Sequence, residues 1–259
     1  MSSAGEGQAA AVFPRFLHPL PGVPEPKVAN PYTRRALLLT FDDGPDLVGT
    51  SMILDELNRR GLKGVFFVNG HHITRHRPED LARRELLRKL ALHGHLVANH
   101  GLSHRNLCQE KDRMAMEIDG VAELISNITG VRPLMFRSPY GARCRSLDQA
   151  LRDRDVAQVG WNVDPQEWKG NDEDAVVDYV TKSLARIRGP VILLLHDKNL
   201  STVRALPRIL DYVASVNQGG GDPIEILDYR VFLPKIPMPD SGLGPLVSRF
   251  AQAFGALGK

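Results

Sequence analysis

Apolar and polar residues follow a repeating order along this chain. A short apolar run is followed by a polar cluster, and then by a longer stretch with apolar residues three and four apart. The runs Ala36–Phe41, Gly64–Val68, His95–Asn99, Leu134–Arg137, Ala157–Asn162, Pro190–His196 and Ile224–Leu227 have the length and content of strands. Between them, Ser51–Arg60, Pro78–His93, Glu110–Ile128, Ser146–Arg154, Asp174–Arg188 and Val203–Asn217 carry helical spacing, as Met114, Ile118, Val121 and Ile125 do. Gly61, Gly94, Gly130 and Gly189 mark helix ends. About seven βα units in succession predict parallel strands covered by helices. An open doubly wound sheet and a closed barrel both satisfy that order. The polar clusters fall at the C-terminal ends of several different strands, where a β/α barrel gathers its site, so the expected fold is α/β, a distorted (β/α)7-8 barrel with parallel strands and outer helices.

This regular pattern occupies residues 34–233. Residues 1–33 hold Pro14, Pro19, Pro21, Pro24, Pro26 and Pro31 and are expected to form a Pro-rich arm. Residues 234–259 form a tail whose apolar end, Leu246–Leu257, is expected to be a short docking helix.

With 42% apolar and 24% charged residues, the composition is that of an ordinary globular protein. A net charge of +3 without a dense Lys/Arg run argues against a nucleic-acid partner. No apolar stretch reaches the ~20 residues of a membrane span. The first residues are polar, so no signal peptide is visible. That predicts a cytoplasmic protein if residue 1 is the true start, and an envelope or secreted one if the chain is a mature or trimmed form. Cys108 and Cys144 are too few for a disulfide scaffold and too far apart for a Cys-x-x-Cys site; they either pair or remain two buried thiols.

The first strand ends in Thr40-Phe41-Asp42-Asp43-Gly44-Pro45. Neighbouring strand residues point to opposite faces, so the two carboxylates cannot serve one site from mid-strand. The Gly44-Pro45 break turns the chain there. One carboxylate can then bind a metal while its neighbour faces a substrate; a solvated turn is the plainer alternative. Further on, His100 and His104 stand four apart, the spacing of one face of a helical turn. With Asp43 they make two imidazoles and a carboxylate, a set that leaves coordination open, as in a catalytic zinc site. Arg137-Ser138-Pro139-Tyr140-Gly141 reads either as a surface loop or as an arginine that keeps a carboxylate ionised, followed by a turn N–H that faces a carbonyl oxygen. Trp161 and Trp168 flank acids and suit either the core or a sugar-stacking wall. The apolar run Val191–Leu195 ends in His196, which is either a packed strand end or a general acid for a leaving amine.

In chain order, TFDDGP, His-x-x-x-His, Arg-x-Pro-Tyr, Asp-x-x-Glu-Trp and Leu-Leu-His resemble the polysaccharide deacetylases of carbohydrate esterase family four, the nodulation-protein homology domain, over about residues 34–230. The resemblance implies a metal-dependent hydrolase. Its substrate would be an N-acetylated polysaccharide or oligosaccharide: peptidoglycan, chitooligosaccharide or a related N-acetylglucosamine polymer. A metal-activated water would attack the N-acetyl carbonyl and release acetate. The same resemblance implies Asp43, His100 and His104 as ligands of a divalent ion, most often Zn2+, Asp42 as general base and His196 as general acid. It also implies Arg137 orienting the base, the Tyr140 N–H facing the oxyanion, and Pro139, Tyr140, Trp168 and Leu194 lining the groove around the acetyl group.

Two positions depart from the family's pattern. Gly101 stands where Ser or Thr is usual, which is expected to loosen His104 and cost metal affinity, ~10–100-fold for such partners. Glu167 stands where Asp usually tunes the acid histidine; it either keeps that contact or leaves it to Asp164 or Asp197. An O-acetyl (xylan-type) esterase and a sugar-lipid deformylase would use the same residues, and a glycan-binding protein with weak turnover would keep the barrel. Metal-free amidases of the same fold typically lack the metal ligands present here.

Overall fold

The computed structural model describes residues 35–74, 77–170 and 172–229; the expected Pro-rich arm and tail helix lie outside them. Seven strands alternate with six helices among the described residues. The strands are β1 (Ala36–Asp42), β2 (Val65–Val68), β3 (Leu96–Asn99), β4 (Met135–Phe136), β5 (Ala157–Gln158), β6 (Pro190–His196) and β7 (Glu225–Ile226). The helices are α1 (Gly49–Arg59), α2 (Pro78–Leu92), α3 (Met114–Thr129), α4 (Arg145–Arg152), α5 (Glu173–Arg186) and α6 (Leu200–Gln218). Each expected strand and helix is present, with ends moved by a few residues.

All strand pairs are parallel, in the order β5-β4-β3-β2-β1-β6, and β7 pairs with the start of β1. The sheet curls. Beyond β5 the chain leaves β4 and crosses to β6, where Val163 bridges Leu193 and the Leu194 N–H donates to the Val163 carbonyl at 2.9 Å. That crossing shortens the expected Ala157–Asn162 strand to two residues and leaves a distorted barrel joined on one side by a single bridge. The expected helix end at Gly189 also moves: α5 stops at Arg186, where Ile187 turns extended. Gly61, Gly94 and Gly130 do take the left-handed conformation at or just beyond helix ends.

Strand β1 is buried throughout because both its faces are covered. Leu37, Leu39 and Phe41 pack outward with Ile53, Leu57, Val180 and Ile209 of the surrounding helices. Leu38 points inward with Val65, Phe67, Ala98, Met135 and Ile192. Strand alternation carries this inward face upward from Leu38 through Thr40 to Asp42. The apolar barrel interior therefore ends in a polar layer at the C-terminal mouth. No helix among the described residues is long and apolar enough to cross a membrane.

Candidate metal centre and active site

At the mouth of the barrel, Asp42 pairs in register with His196 of the neighbouring strand β6. From β4, the next inward position after Met135 is Arg137, which is 0% exposed. Its Nη1 donates to Asp42 Oδ1 at 2.8 Å and to Thr40 Oγ1 at 2.7 Å; Nε and Nη2 donate to the carbonyls of Val159 and Gly160. The guanidinium also lies 4.2 Å over the Phe67 ring. Burial pulls the Arg137 pKa below its ordinary value, opposed by the Asp42 charge. This network fixes one oxygen of Asp42 and leaves Oδ2 facing His100 Nε2 at 3.7 Å.

Asp43 belongs to the turn rather than to the strand. Its φ of 73° swings the side chain away from the Asp42 direction. Oδ1 lies 3.5 Å from His100 Nε2 and 3.4 Å from His104 Nε2, and accepts a hydrogen bond from Asn69 Nδ2 at 3.0 Å. One ligand atom from each of Asp43, His100 and His104 lies within 4.8 Å of the others, so the three can hold one metal ion. The His100 ring is set for that role. Its Nδ1 lies 2.8 Å from the Arg137 carbonyl, which only accepts, so Nδ1 carries a proton and Nε2 is the ring nitrogen turned toward Asp43. Burial alone would raise the Asp43 carboxyl; His100, Lys198 and His104 outweigh it and hold the pKa well below the usual carboxylate range. Burial, with the His100 charge, pushes the His104 imidazole down, toward the neutral form that ligates.

The His-x-x-x-His segment is a loop, not the helical turn its spacing suggested. Gly101 (φ 82°) and His104 (φ 55°) both take left-handed conformations that a helix excludes. Glu117 of α3 shapes this loop. Its buried carboxylate accepts from the N–H groups of Leu102 (2.7 Å) and Ser103 (2.9 Å) and from the Ser103 hydroxyl. Asn99 Oδ1 accepts from the Gly101 N–H at 2.8 Å. The hydroxyl absent at Gly101 is thus answered by other anchors, and a side chain there would meet both the strained φ and Glu117.

Glu167 keeps the contact that the sequence left open among three acids. Its Oε1 accepts from the His196 backbone N–H at 2.6 Å, from His196 Nδ1 at 3.0 Å and from Thr202 Oγ1 at 3.2 Å. Burial opposes charge on His196, but the Glu167 hydrogen bond, helped by Asp42 and Asp43, holds its pKa above the ordinary imidazole value. Asp164 instead accepts from the Gln166 N–H. Asp197 is buried behind the Gly44 turn, accepts from Thr50 Oγ1 at 2.5 Å and is pushed up to about 7 by burial.

Around the mouth, Leu194 is buried on the same face of β6 as His196, and Pro139 is buried in the turn that follows Arg137. Tyr140 is 71% exposed, with φ 60° and its ring 4.7 Å from that of His104. Within that turn the Gly141 and Ala142 N–H groups bond to the Ser138 and Pro139 carbonyls, a pattern in which the Tyr140 N–H takes no part. Trp168 is 52% exposed at the rim, whereas Trp161 packs between the Arg137 guanidinium and Gly141 and is a wall of the interior. A disulfide joins Cys108 to Cys144, with Cα atoms 5.8 Å apart, and ties the loop after His104 to the loop after Tyr140.

Sequence reasoning passed over Thr40, Asn69, Glu117 and Lys198, all of which touch these groups. Glu117 did leave a signal: an acid on the same apolar stripe as Met114, Ile118 and Val121 must be buried with partners. Asn69 follows a strand end, like the other polar groups of the site.

Residues 29–159 match the family described as polysaccharide deacetylase. A peptidoglycan-N-acetylglucosamine deacetylase of Bacillus cereus is 31% identical over 153 residues, which is 59% of this chain and 53% of that protein. A chitooligosaccharide deacetylase of Sinorhizobium fredii is 35% identical over 166 residues, 62% of this chain and 72% of its own length. The chain thus spans about half the length of the first of these relatives. A crystal structure of the Bc1960 peptidoglycan N-acetylglucosamine deacetylase overlays with a TM-score of 0.64 at 28% identity, covering 76% of this chain and 88% of that one.

Proposed function

Because this chain belongs to the polysaccharide deacetylase family, we propose that it is a metal-dependent hydrolase. In this reading it removes N-acetyl groups from a glycan built on N-acetylglucosamine, peptidoglycan or chitooligosaccharide, with residues 34–233 as the catalytic unit. The observation that carries the reading is convergence: the Asp42–Arg137 pair, the Asp43–His100–His104 cluster and the His196–Glu167 pair meet at one end of one barrel. When bound, a divalent ion, Zn2+ by its two imidazoles and one carboxylate, supplies a Lewis acid for the acetyl carbonyl and for water.

The chain's own residues do the rest. Asp42, held through Oδ1 by Arg137, takes the proton of the attacking water at Oδ2. The Tyr140 N–H meets the developing charge on the carbonyl oxygen. His196, its Nδ1 tied to Glu167, gives a proton through Nε2 to the departing nitrogen as the C–N bond breaks, leaving acetate and a free amine. Leu194, Pro139, Tyr140 and Trp168 enclose the acetyl group. The Cys108–Cys144 disulfide supports work in an oxidising compartment, so we place the protein at the cell envelope or outside it.

The test is acetate release from N-acetylglucosamine oligomers, peptidoglycan and acetyl-xylan, after chelation and after zinc add-back. Release from the first two, lost on chelation and restored by zinc, is expected. Asp43→Ala should lose bound metal, while Asp42→Asn should keep it and lose turnover by ~100–10,000-fold. Release from acetyl-xylan alone would make the protein an O-deacetylase. No release from any substrate by the zinc-loaded protein would end the reading.

A further inference from the structure

Lys198 lies in the turn between β6 and α6, and its Nζ is 2.6 Å from Asp43 Oδ2. The two oxygens of Asp43 therefore have separate partners. Oδ1 faces His100 and His104, where a metal would sit, and Oδ2 is taken by an ammonium. Two cations would share one carboxylate a few ångströms apart, and like charges at that range repel.

Lysine is not required to orient the ligand. Asn69 Nδ2 already holds Oδ1 at 3.0 Å, and the Asn69 N–H braces the turn through the Gly44 carbonyl at 2.9 Å. The lysine side chain is 51% exposed and can leave for water, whereas Asp43 is buried and cannot follow it. Without a metal, the same ammonium supplies the positive charge that a buried carboxylate needs.

We propose that Lys198 sets the metal affinity of this site: it neutralises Asp43 in the metal-free protein and competes with a divalent cation for that carboxylate. The inference rests on the Asp43–His100–His104 reading and adds to it a residue that makes the bound ion exchangeable.

The test compares wild type, Lys198→Met and Lys198→Arg by chelator-competition titration with Zn2+ and by thermal unfolding with and without zinc. Lys198→Met should bind Zn2+ about tenfold more tightly, because a half-solvated charge repels at the weak end of the Coulomb range. Its metal-free Tm should fall and its zinc-induced rise in Tm should grow, since tighter binding stabilises more at a given free zinc. Lys198→Arg, which keeps the charge, should behave as wild type. Equal or weaker zinc binding by Lys198→Met, with wild type binding one ion, would overturn the inference and leave the metal centre standing. Failure of wild type and variants alike to bind zinc would overturn both.

Discussion

Arg137→Met removes a fully buried guanidinium and leaves the Asp42 carboxylate, 2% exposed, without its cation. Solvent screening does not soften this pair, so the cost is that of stranding a buried charge, ~3–5 kcal/mol. The Val159 and Gly160 carbonyls also lose their donor, while Thr40 Oγ1 keeps a partner by donating to the Leu193 carbonyl at 2.6 Å. Methionine fills much of the space against Phe67, so cavity formation adds little. A loss of about 4 kcal/mol is a large share of the 5–15 kcal/mol that ordinarily holds a domain together. Urea unfolding of the metal-free protein, disulfide intact, measures it. The decisive comparison adds Asp42→Asn and the double variant. If the charge pair is the cause, the double variant should lose at least ~2 kcal/mol less than the sum of the singles. A single-variant loss under ~1 kcal/mol, or strict additivity, would refute the reasoning.

Three other perturbations probe the groups around this pair. Glu167→Gln removes the charge that raises the His196 pKa. A general acid works while protonated, so activity is lost as pH rises through that pKa, and the alkaline limb of the kcat/KM profile should move to lower pH; an unmoved limb would sever Glu167 from the acid. Glu117→Ala unties Leu102 and Ser103 and should weaken zinc binding ~10–100-fold by equilibrium dialysis, with unchanged affinity showing that the loop holds its own shape. Replacing Cys108 and Cys144 with Ser opens a link of sequence separation 36 and should cost ~3–4 kcal/mol in chemical unfolding. A double-serine variant as stable as oxidised wild type would show that the link contributes nothing.

Much of the architecture was legible because its signals are local. The run Pro190–His196 is legible to the residue, since a strand covered on both faces is continuously apolar and ends where the chain meets polar groups. The end of the strand that begins at Ala157 is not legible, because leaving β4 to reach β6 is a relation between distant segments and has no local pattern. The His-x-x-x-His spacing by itself suits a helical turn. The left-handed loop that carries His104 is anchored through Leu102 and Ser103 by Glu117, 13 positions beyond His104 in the numbering and on another element. Lys198 left no mark in the sequence beyond standing two places after His196.

By itself, then, the sequence determined the βα order and the strand ends that carry acids, imidazoles and an arginine, because side-chain periodicity and turn chemistry act over a few residues. Only the tertiary structure decided which carboxylate meets which partner. Asp42 faces inward to Arg137 because strand alternation points it into the barrel, and register sets it beside His196. Asp43 faces the imidazoles because a left-handed turn redirects it. The choices of Glu167 over two other acids for His196 and of a disulfide over two thiols were settled there as well. These are contacts between residues far apart in the chain, and only the closing of the sheet brings them within reach.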